Sequence, residues 1–279
     1  MRLFKNKILY LDYLQFYAES LISSSKLWDI LSRNNNLGLQ IQDAHTLAND
    51  TGSVRIYFND QGVRLHLTGS FFQADNLNDN ISEAKQVLKI LSVHKVLRPF
   101  LISRIDIAEN HYGKSLKNYF ITNKHNSELT EIKNNGKLNS IYLGKRSSKS
   151  VLYRCYDKRA DEAGHKTSIK RFGTIEYVKS EYELKRDIAR KYDLDTSADL
   201  SVSKIEKVYK WISSSKRVHF VNPAFVPEQK VKKCYIAKPD SKDIEKLHKM
   251  VKGIYEKNFD KHEGLDSIEK IKEQVYGVC

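Results

Sequence analysis

The sequence predicts an α+β protein built on an antiparallel β-sheet, with a helical region toward the C-terminus. Segments rich in tyrosine, phenylalanine and β-branched residues alternate with segments whose apolar residues recur at helical spacing. Strands followed by a helix occur twice along the chain, which suggests a duplicated sheet. With 279 residues, 40% of them hydrophobic, the chain is long enough to bury a core.

The first half of the chain combines predicted strands with two predicted helices. The strands are rich in aromatic residues or alternate apolar with polar positions; they are residues 8–17, 54–58 and 63–67. An Asn-Asp-Gln-Gly sequence joins the last two into a hairpin. A helix is predicted over 26–33, with Ser25 as its cap. A second helix is predicted over 80–93, with Asn80 or Ser82 available as its N-cap.

The second half repeats this alternation and then becomes helical. Its predicted strands are residues 101–108, 140–143, 151–156 and 174–185. Residues 116–121 are predicted to form a short helix. Beyond an acidic linker at 193–199, the predicted helices are residues 204–212, 240–258 and 265–276. The sequence therefore predicts an α+β domain over 1–195 and a helical C-terminal region over 200–279.

The charge of the chain favours a polyanionic partner. Lys and Arg total 48 against 34 Asp and Glu, a formal net charge of +14. Half of this excess lies in residues 144–192, which hold 14 Lys or Arg and 7 Asp or Glu. Such clustering suggests a face that contacts phosphates. No stretch approaches the roughly 20 apolar residues of a membrane span, and three widely spaced cysteines favour a reducing cytoplasm.

Two predicted strands place carboxylates on the face opposite their apolar residues, where core packing does not require them. In residues 103–110, strand alternation puts Asp106 on the face opposite Ile105 and Ile107. In residues 174–185, Glu181 and Glu183 share a face, and Lys185 follows on it. These carboxylates together predict an oxygen-only site for Mg²⁺ or Mn²⁺. A solvated sheet face or a surface charge ladder would give the same patterns.

A third predicted strand carries a tyrosine between two basic residues. Arg154, Tyr156 and Lys158 share one face of the strand, and Tyr153 lies on the other unless a β-bulge intervenes. Nearby positive charge would favour the phenolate form that a nucleophilic tyrosine needs. Taken alone, a tyrosine in a strand is more commonly a packing residue.

These segments together resemble the replication initiation factor family, often called Rep_trans. The family contains rolling-circle initiators of plasmids and filamentous phages and related relaxases of integrative conjugative elements. The resemblance spans roughly residues 101–191 and rests on four motifs in the family's order. They are Arg104-Ile-Asp106-Ile-Ala108, Tyr142-Leu-Gly144-Lys-Arg146-Ser-Ser148, Arg154-Cys-Tyr156-Asp-Lys158 and Glu181-Tyr-Glu183-Leu-Lys185. The hairpin end Leu65-His66-Leu67-Thr68-Gly69 also resembles a feature of some members.

The resemblance implies a DNA nicking and joining enzyme whose catalytic domain is residues 1–195. It assigns Tyr156 as the nucleophile that becomes joined to a 5′ phosphate, and Asp106 with Glu181 or Glu183 as ligands of Mg²⁺ or Mn²⁺. Arg154, Lys158 and Lys185 are then candidates for holding the scissile phosphate. The implied partner is origin DNA, single-stranded or in a cruciform or supercoiled duplex, with a host helicase and polymerase in a bacterial cytoplasm. One nucleophile per chain requires a homodimer or a second use of the site.

Other readings remain open at this point. A conjugative relaxase would use the same chemistry, and a non-catalytic origin-binding protein could keep the same fold. The class of nickases with a His-hydrophobe-His metal motif is disfavoured, because none of the nine histidines forms such a pair. The helical spacing of Lys242, Lys246, Lys249 and Lys252 suggests a DNA-binding helix face, although a solvated face gives the same pattern.

Overall fold

A computed structural model describes residues 9–33, 35–72, 76–117, 119–124, 128–145, 151–160, 166, 169–170, 173–220 and 233–236. The chain divides into two compact units, Met1–Tyr235 and Ile236–Cys279. The predicted helices at 240–258 and 265–276, and the four lysines on the first of them, lie outside the described residues. Within the described ranges, no helix has the length and apolar character needed to cross a bilayer.

Antiparallel strands dominate the described part of the chain. They are β1 Leu9–Glu19, β2 Leu39–Asp43, β3 Thr46–Asn49, β4 Val54–Asn59, β5 Gly62–Leu67, β6 Leu101–Tyr112, β7 Tyr119–Asn123, β8 Leu129–Asn134, β9 Lys137–Leu143, β10 Leu152–Asp157, β11 Tyr177–Lys185, β12 Lys216–Phe220 and β13 Lys233–Ile236. The helices are α1 Ser24–Ser32, α2 Leu77–Ser92, α3 Arg186–Lys191 and α4 Val202–Ser213. The predicted α+β class with an antiparallel sheet is confirmed.

Eleven of these strands form one sheet, in which five strands lie on each side of the β6–β1 midline and β13 is added at the edge beyond β8. The order is β13-β8-β9-β10-β11-β6-β1-β5-β4-β3-β2, and β7 pairs with β12 in a separate ribbon. β1 and β6 pair antiparallel at the midline. From β1 the sheet continues outward through β5, β4, β3 and β2, and from β6 through β11, β10, β9 and β8. The two halves therefore share one strand plan, as the repeated alternation in the sequence suggested.

One face of the sheet forms the hydrophobic core, because alternate strand residues point toward the helices. From β1, Leu14 and Phe16 are fully buried on this face, and Ile105 and Ile107 of β6 lie beside them. α2 supplies Ile81, Ala84 and Leu88, which recur at helical spacing. The core continues through both halves as a single cluster. The opposite face of the sheet, called the open face below, carries the charged and aromatic residues of interest.

Three local predictions are wrong, each for a physical reason. Residues 116–121 do not form a helix, because the Tyr119–Asn123 strand pairs with β12, a partner the pattern did not reveal. α2 begins earlier than predicted, with Asn76 as its N-cap. Asn80 is instead buried, and its Oδ1 accepts the Leu11 backbone N–H at 2.9 Å. Ser23 rather than Ser25 occupies the N-cap of α1.

Candidate functional site

The predicted site residues of three neighbouring strands meet on the open face of the second half. β11 lies between β10 and β6, so its odd-numbered side chains lie beside the open-face side chains of both neighbouring strands. Glu183 lies opposite Asp106 across the β11–β6 pair. Glu181 lies opposite Arg154 across the β11–β10 pair. The alternation expected from the sequence thus places the predicted carboxylates and Arg154 in one cluster.

Asp106 is fully buried in the middle of β6 and is held by two arginines. Arg104 Nε donates to its Oδ1 at 2.8 Å, and Arg104 Nη2 to its Oδ2 at 2.6 Å. Arg154 Nη2 donates to the same Oδ2 at 3.1 Å. Burial raises the pKa of Asp106 to about 6 even though both guanidinium groups oppose that shift. Arg104 also reaches Glu183, with Nη2 and Oε2 3.0 Å apart.

Glu181 is the centre of the cluster, because three side chains converge on its buried carboxylate. The Tyr156 hydroxyl donates a short hydrogen bond to Oε1. Lys179 Nζ lies 3.0 Å from Oε1, and Arg154 Nε lies 2.5 Å from Oε2 as an ion pair. Burial alone would raise the pKa of Glu181, but Lys179 and Arg154 outweigh it and hold this pKa below its ordinary value. Glu181 is therefore an ionised acceptor of the Tyr156 hydrogen bond.

Asp12 is a fourth carboxylate in the cluster, and the sequence reasoning missed it. The β1–β6 register shifts between Leu11 and Tyr13, so the bulge turns Asp12 to the open face. Its Oδ1 lies 2.5 Å from Lys179 Nζ, so this lysine links it to Glu181. Burial and the Glu181 charge raise the pKa of Asp12. Gly69 gives Asp12 room, since a Cβ there would lie 2.5 Å from Oδ1.

The surroundings of Tyr156 correct one expectation. The sequence placed Tyr156 between two cations that would favour phenolate. Instead, burial and then the charge of Glu181 raise its pKa well above the ordinary value, although Lys179 acts in the opposite direction. Tyr156 thus rests as a neutral phenol hydrogen-bonded to a carboxylate.

Tyr153 lies on the opposite face, where a regular strand would place it. The β10–β11 register runs without a shift from Leu152 to Asp157. Tyr153 is fully buried, with its hydroxyl oxygen 3.0 Å from Ser180 Oγ and accepting the Val218 N–H at 3.2 Å. This side chain is part of the core, so Tyr156 is the tyrosine of β10 that faces the cluster.

The remaining predicted residues lie at the edges of this cluster or outside the described part. Lys158 Nζ lies 5.8 Å from the centre of the Tyr156 ring, a cation–π distance. Lys185 lies opposite Arg104 at the end of β11 and is half-buried. Arg146 and Ser148 of the second motif lie outside the described residues.

The donor set matches a hard divalent cation in chemistry but not in arrangement. Glu181 Oε2 is a buried carboxylate oxygen, the kind of donor that Mg²⁺ prefers, but Arg154 Nε lies 2.5 Å from it as an ion pair. Among the described residues, no group of three or more His, Cys, Asp or Glu is placed to hold a metal ion. The side chains of Arg104, Arg154 and Lys179 bind the carboxylates instead. The metal site therefore stays a prediction.

Lys179 was also missed, and here the sequence held a usable signal. It precedes Glu181 by two residues in a predicted strand, so it must share a face with Glu181 and Glu183. For Asp12 the only signal was a lone acid within the Tyr- and Leu-rich run of 8–17. Alternation alone does not give its direction, because the bulge shifts the register.

The comparisons with known proteins add little to this geometry. No family model matches the sequence, and no similar sequence is found among curated proteins. Among solved structures, Methanococcus jannaschii TBP is similar over 74% of this chain and 95% of its own length. The sequence identity is 8% and the TM-score is 0.33. We draw no functional conclusion from that similarity.

Proposed function

We propose that this protein is a tyrosine-dependent DNA strand transferase, which cuts one strand, holds it covalently and rejoins it. Within that class, we propose that it initiates rolling-circle replication of a phage or plasmid by nicking an origin. The hydrogen bond from the Tyr156 hydroxyl to the ionised Glu181 carboxylate carries this proposal. It joins a nucleophile to a proton acceptor, with two cations in contact with that acceptor.

The proposed step balances with the groups of this cluster. The Tyr156 oxygen bonds to the phosphorus of a DNA phosphodiester while the bond from phosphorus to the 3′ oxygen breaks. The phenol proton passes to Glu181, and the departing 3′ oxygen takes a proton from solvent. The products are a 5′-phosphotyrosine and a free 3′ hydroxyl, and rejoining reverses these changes.

Positive charge supports the same step. Arg154 and Lys179 both contact Glu181, so they stand within reach of a phosphate placed at the Tyr156 oxygen. Cations fixed before the reaction stabilise negative charge that develops on the transferring phosphate. Lys158, beside the Tyr156 ring, and Lys185, at the end of β11, would extend this positive surface along the DNA.

Mg²⁺ or Mn²⁺ remains part of the proposal. Asp106 and Glu181 or Glu183 would hold the ion, and Arg104 or Arg154 would have to release a carboxylate oxygen first. A bound divalent ion supplies charge stabilisation to phosphoryl chemistry. The proposed partner is origin DNA, and a homodimer or a second use of Tyr156 would complete a replication round.

Covalent trapping tests this function without knowledge of the origin sequence. The full chain is mixed with single-stranded oligonucleotides of random sequence and with Mg²⁺, Mn²⁺ or EDTA. We expect a protein–DNA adduct that survives denaturant, requires the metal and maps to Tyr156 by peptide mass. Tyr156→Phe should abolish it. Glu181→Gln should lower its rate of formation about 10²–10⁴-fold, because the proton acceptor is lost.

A matched control separates chemistry from folding. Tyr142 lies on the same face, opposite Arg154, so Tyr142→Phe removes a hydroxyl from the same region. The adduct should persist in this variant. An adduct that persists in Tyr156→Phe, or the absence of any adduct at every metal condition, contradicts the proposal.

A non-catalytic origin-binding protein is the second candidate. Two observations favour it: the raised pKa of Tyr156, and the lack of a preassembled metal site among the described residues. Such a protein would retain selected sequences from the random pool on a filter yet form no adduct.

A further inference from the structure

Aromatic and basic side chains cover the open face on the first half of the sheet. They lie on β1, β4 and β5, and we call them the aromatic–basic strip: Tyr13, Arg55, Tyr57, Arg64 and His66. Strand register places Arg55 opposite His66 and Tyr57 opposite Arg64. β4 and β5 contain no acidic residue. The strip is thus a patch of rings and positive charge.

The rings of the strip contact one another in a row across the strands. The Tyr13 and His66 ring centres are 5.7 Å apart, and those of His66 and Tyr57 are 4.6 Å apart. The Tyr13 hydroxyl oxygen lies 2.7 Å from His66 Nδ1. Tyr13, Tyr57 and His66 are half-buried, so each ring is fixed by its neighbours and still reaches the surface. Fixed rings lose little conformational entropy when a ligand stacks on them.

The charge of the strip is positive and accessible. Arg55 and Arg64 are both exposed. Burial and then the charges of Arg64, Arg104 and Arg55 lower the pKa of His66 to about 4. His66 is therefore neutral near pH 7, and the arginines supply the charge there.

The strip is continuous with the Tyr156 cluster through Arg104. The Arg104 guanidinium carbon lies 4.6 Å from the centre of the Tyr13 ring, and its nitrogens bind Asp106. From β10 to β4 the sheet order takes five steps, through β11, β6, β1 and β5. At about 4.8 Å per strand this path is roughly 24 Å long. It is long enough for several nucleotides.

We propose that the aromatic–basic strip binds the single-stranded DNA adjoining the phosphate at Tyr156, with bases stacked on its rings and phosphates at Arg55 and Arg64. This inference rests on the proposed function and names a binding surface for its substrate. Rows of aromatic rings flanked by cations are the common means of binding single strands without reading their sequence. A duplex keeps its base faces stacked inside, so only an unpaired strand reaches the rings.

Fluorescence anisotropy tests the strip apart from the chemistry. The protein carries Tyr156→Phe, EDTA is present, and the probe is a fluorescein-labelled single-stranded 20-mer of mixed sequence. Tyr57→Ala should raise the Kd about 5- to 100-fold, since a stacked base is lost. Arg55→Ala with Arg64→Ala should also raise the Kd. It should make the slope of log affinity against log salt shallower by about 0.7 for each lost phosphate contact.

Controls on the helical side match these changes in charge and in ring area. Lys85 and Lys89 are exposed on α2, and Trp211 is 49% exposed on α4. Lys85→Ala with Lys89→Ala, and separately Trp211→Ala, should leave the Kd and the salt slope near those of the parent. Tyr57→Phe keeps the ring and should therefore restore most of the affinity that Tyr57→Ala loses.

The outcomes distinguish this inference from the proposed function. If both Tyr57→Ala and the double arginine variant bind the single strand as tightly as the parent, the proposed role of the strip is wrong. It is also wrong if these variants lose as much affinity for a duplex of the same sequence as for the single strand. Loss of single-strand binding without any Tyr156 adduct would retain the strip and reject the enzyme. A Tyr156 adduct together with unaltered binding in the strip variants would support the enzyme and reject the strip.

Discussion

The two halves of the sheet share a strand plan but differ in what they display. In the second half, β6, β10 and β11 bring acidic and basic side chains together around Tyr156. In the first half, β4 and β5 display arginines and rings with no acid. Asp12 and Tyr13, at the bulge of β1, lie at the boundary: Asp12 contacts Lys179 of the second half, and Tyr13 contacts both Arg104 of the second half and His66 of the first.

This difference shows that the order of the strands does not determine which side chains the open face carries. Both halves bury the same kind of strand face against helices, so the core places no constraint on the open face. Each half therefore carries its own set of open-face residues on the same frame. The following experiments test whether the halves differ only there.

The largest effect is expected from removing the cation at the centre of the second half. Lys179 contacts both Asp12 and Glu181 and is nearly buried. Lys179→Met should lower the free energy of unfolding by about 3–5 kcal/mol, because the buried Glu181 and the partly buried Asp12 lose their shared partner. Adding Asp12→Asn should restore part of that loss, with a coupling of about 0.5–3 kcal/mol. Urea unfolding of the parent, the two single variants and the double variant measures this coupling energy.

Strict additivity of the two changes would contradict the linked Asp12–Lys179–Glu181 network. No comparable coupling is expected in the first half, where Arg55 and Arg64 are exposed on adjacent strands. A double-mutant cycle of these two arginines provides that contrast.

Replacing equivalent core leucines should lower the free energy of unfolding by the same amount in each half. Leu65 of β5 lies opposite Phe16 in β1, and Leu184 of β11 lies opposite Ile105 in β6. Both leucines are fully buried in one cluster. Each Leu→Ala change should lower the free energy of unfolding by about 2–5 kcal/mol within a single transition. Leu21, 56% exposed, serves as the control and should change it by less than about 0.5 kcal/mol.

Two separate unfolding transitions, one sensitive to each leucine, would show that the halves fold independently. Differential scanning calorimetry of the two variants checks this directly.

The smallest effect concerns the pH dependence of the first half. His66 has a pKa of about 4 in the folded chain, below its ordinary value near 6.5, mainly through burial. Its Nε2 has no hydrogen-bond partner among the described residues, so protonation would bury an unsatisfied charge. The unfolded chain therefore binds the proton more readily, and stability present above about pH 6.5 is lost as the pH falls toward 4.

His66→Gln should flatten this part of the curve of unfolding free energy against pH, measured by urea titration between pH 7 and 4. A variant with the same slope as the parent would assign the loss to other groups. His45, exposed in the turn between β2 and β3, offers a matched substitution that should leave the slope unchanged.

Much of the fold was predictable because the relevant signals are local. Alternation located β4, β5, β6 and β11, and helical spacing located α2 and α4 within a few residues. The strand at Tyr119–Asn123 was not predictable, since its pairing with β12 joins residues that are about 100 positions apart in the chain. The N-cap predicted for α2 was wrong for a similar reason: Asn80 is buried and accepts a hydrogen bond from a backbone N–H of β1.

The sequence by itself determined which residues share a face of each strand. It placed Asp106, Arg154, Tyr156, Glu181 and Glu183 on the faces they occupy, because side chains alternate with a period of two. Only the tertiary structure decided that these faces meet, that a bulge adds Asp12, and that Glu181 accepts the Tyr156 hydrogen bond. Strand order and register join residues distant in the chain, and local pattern carries no information about such pairing.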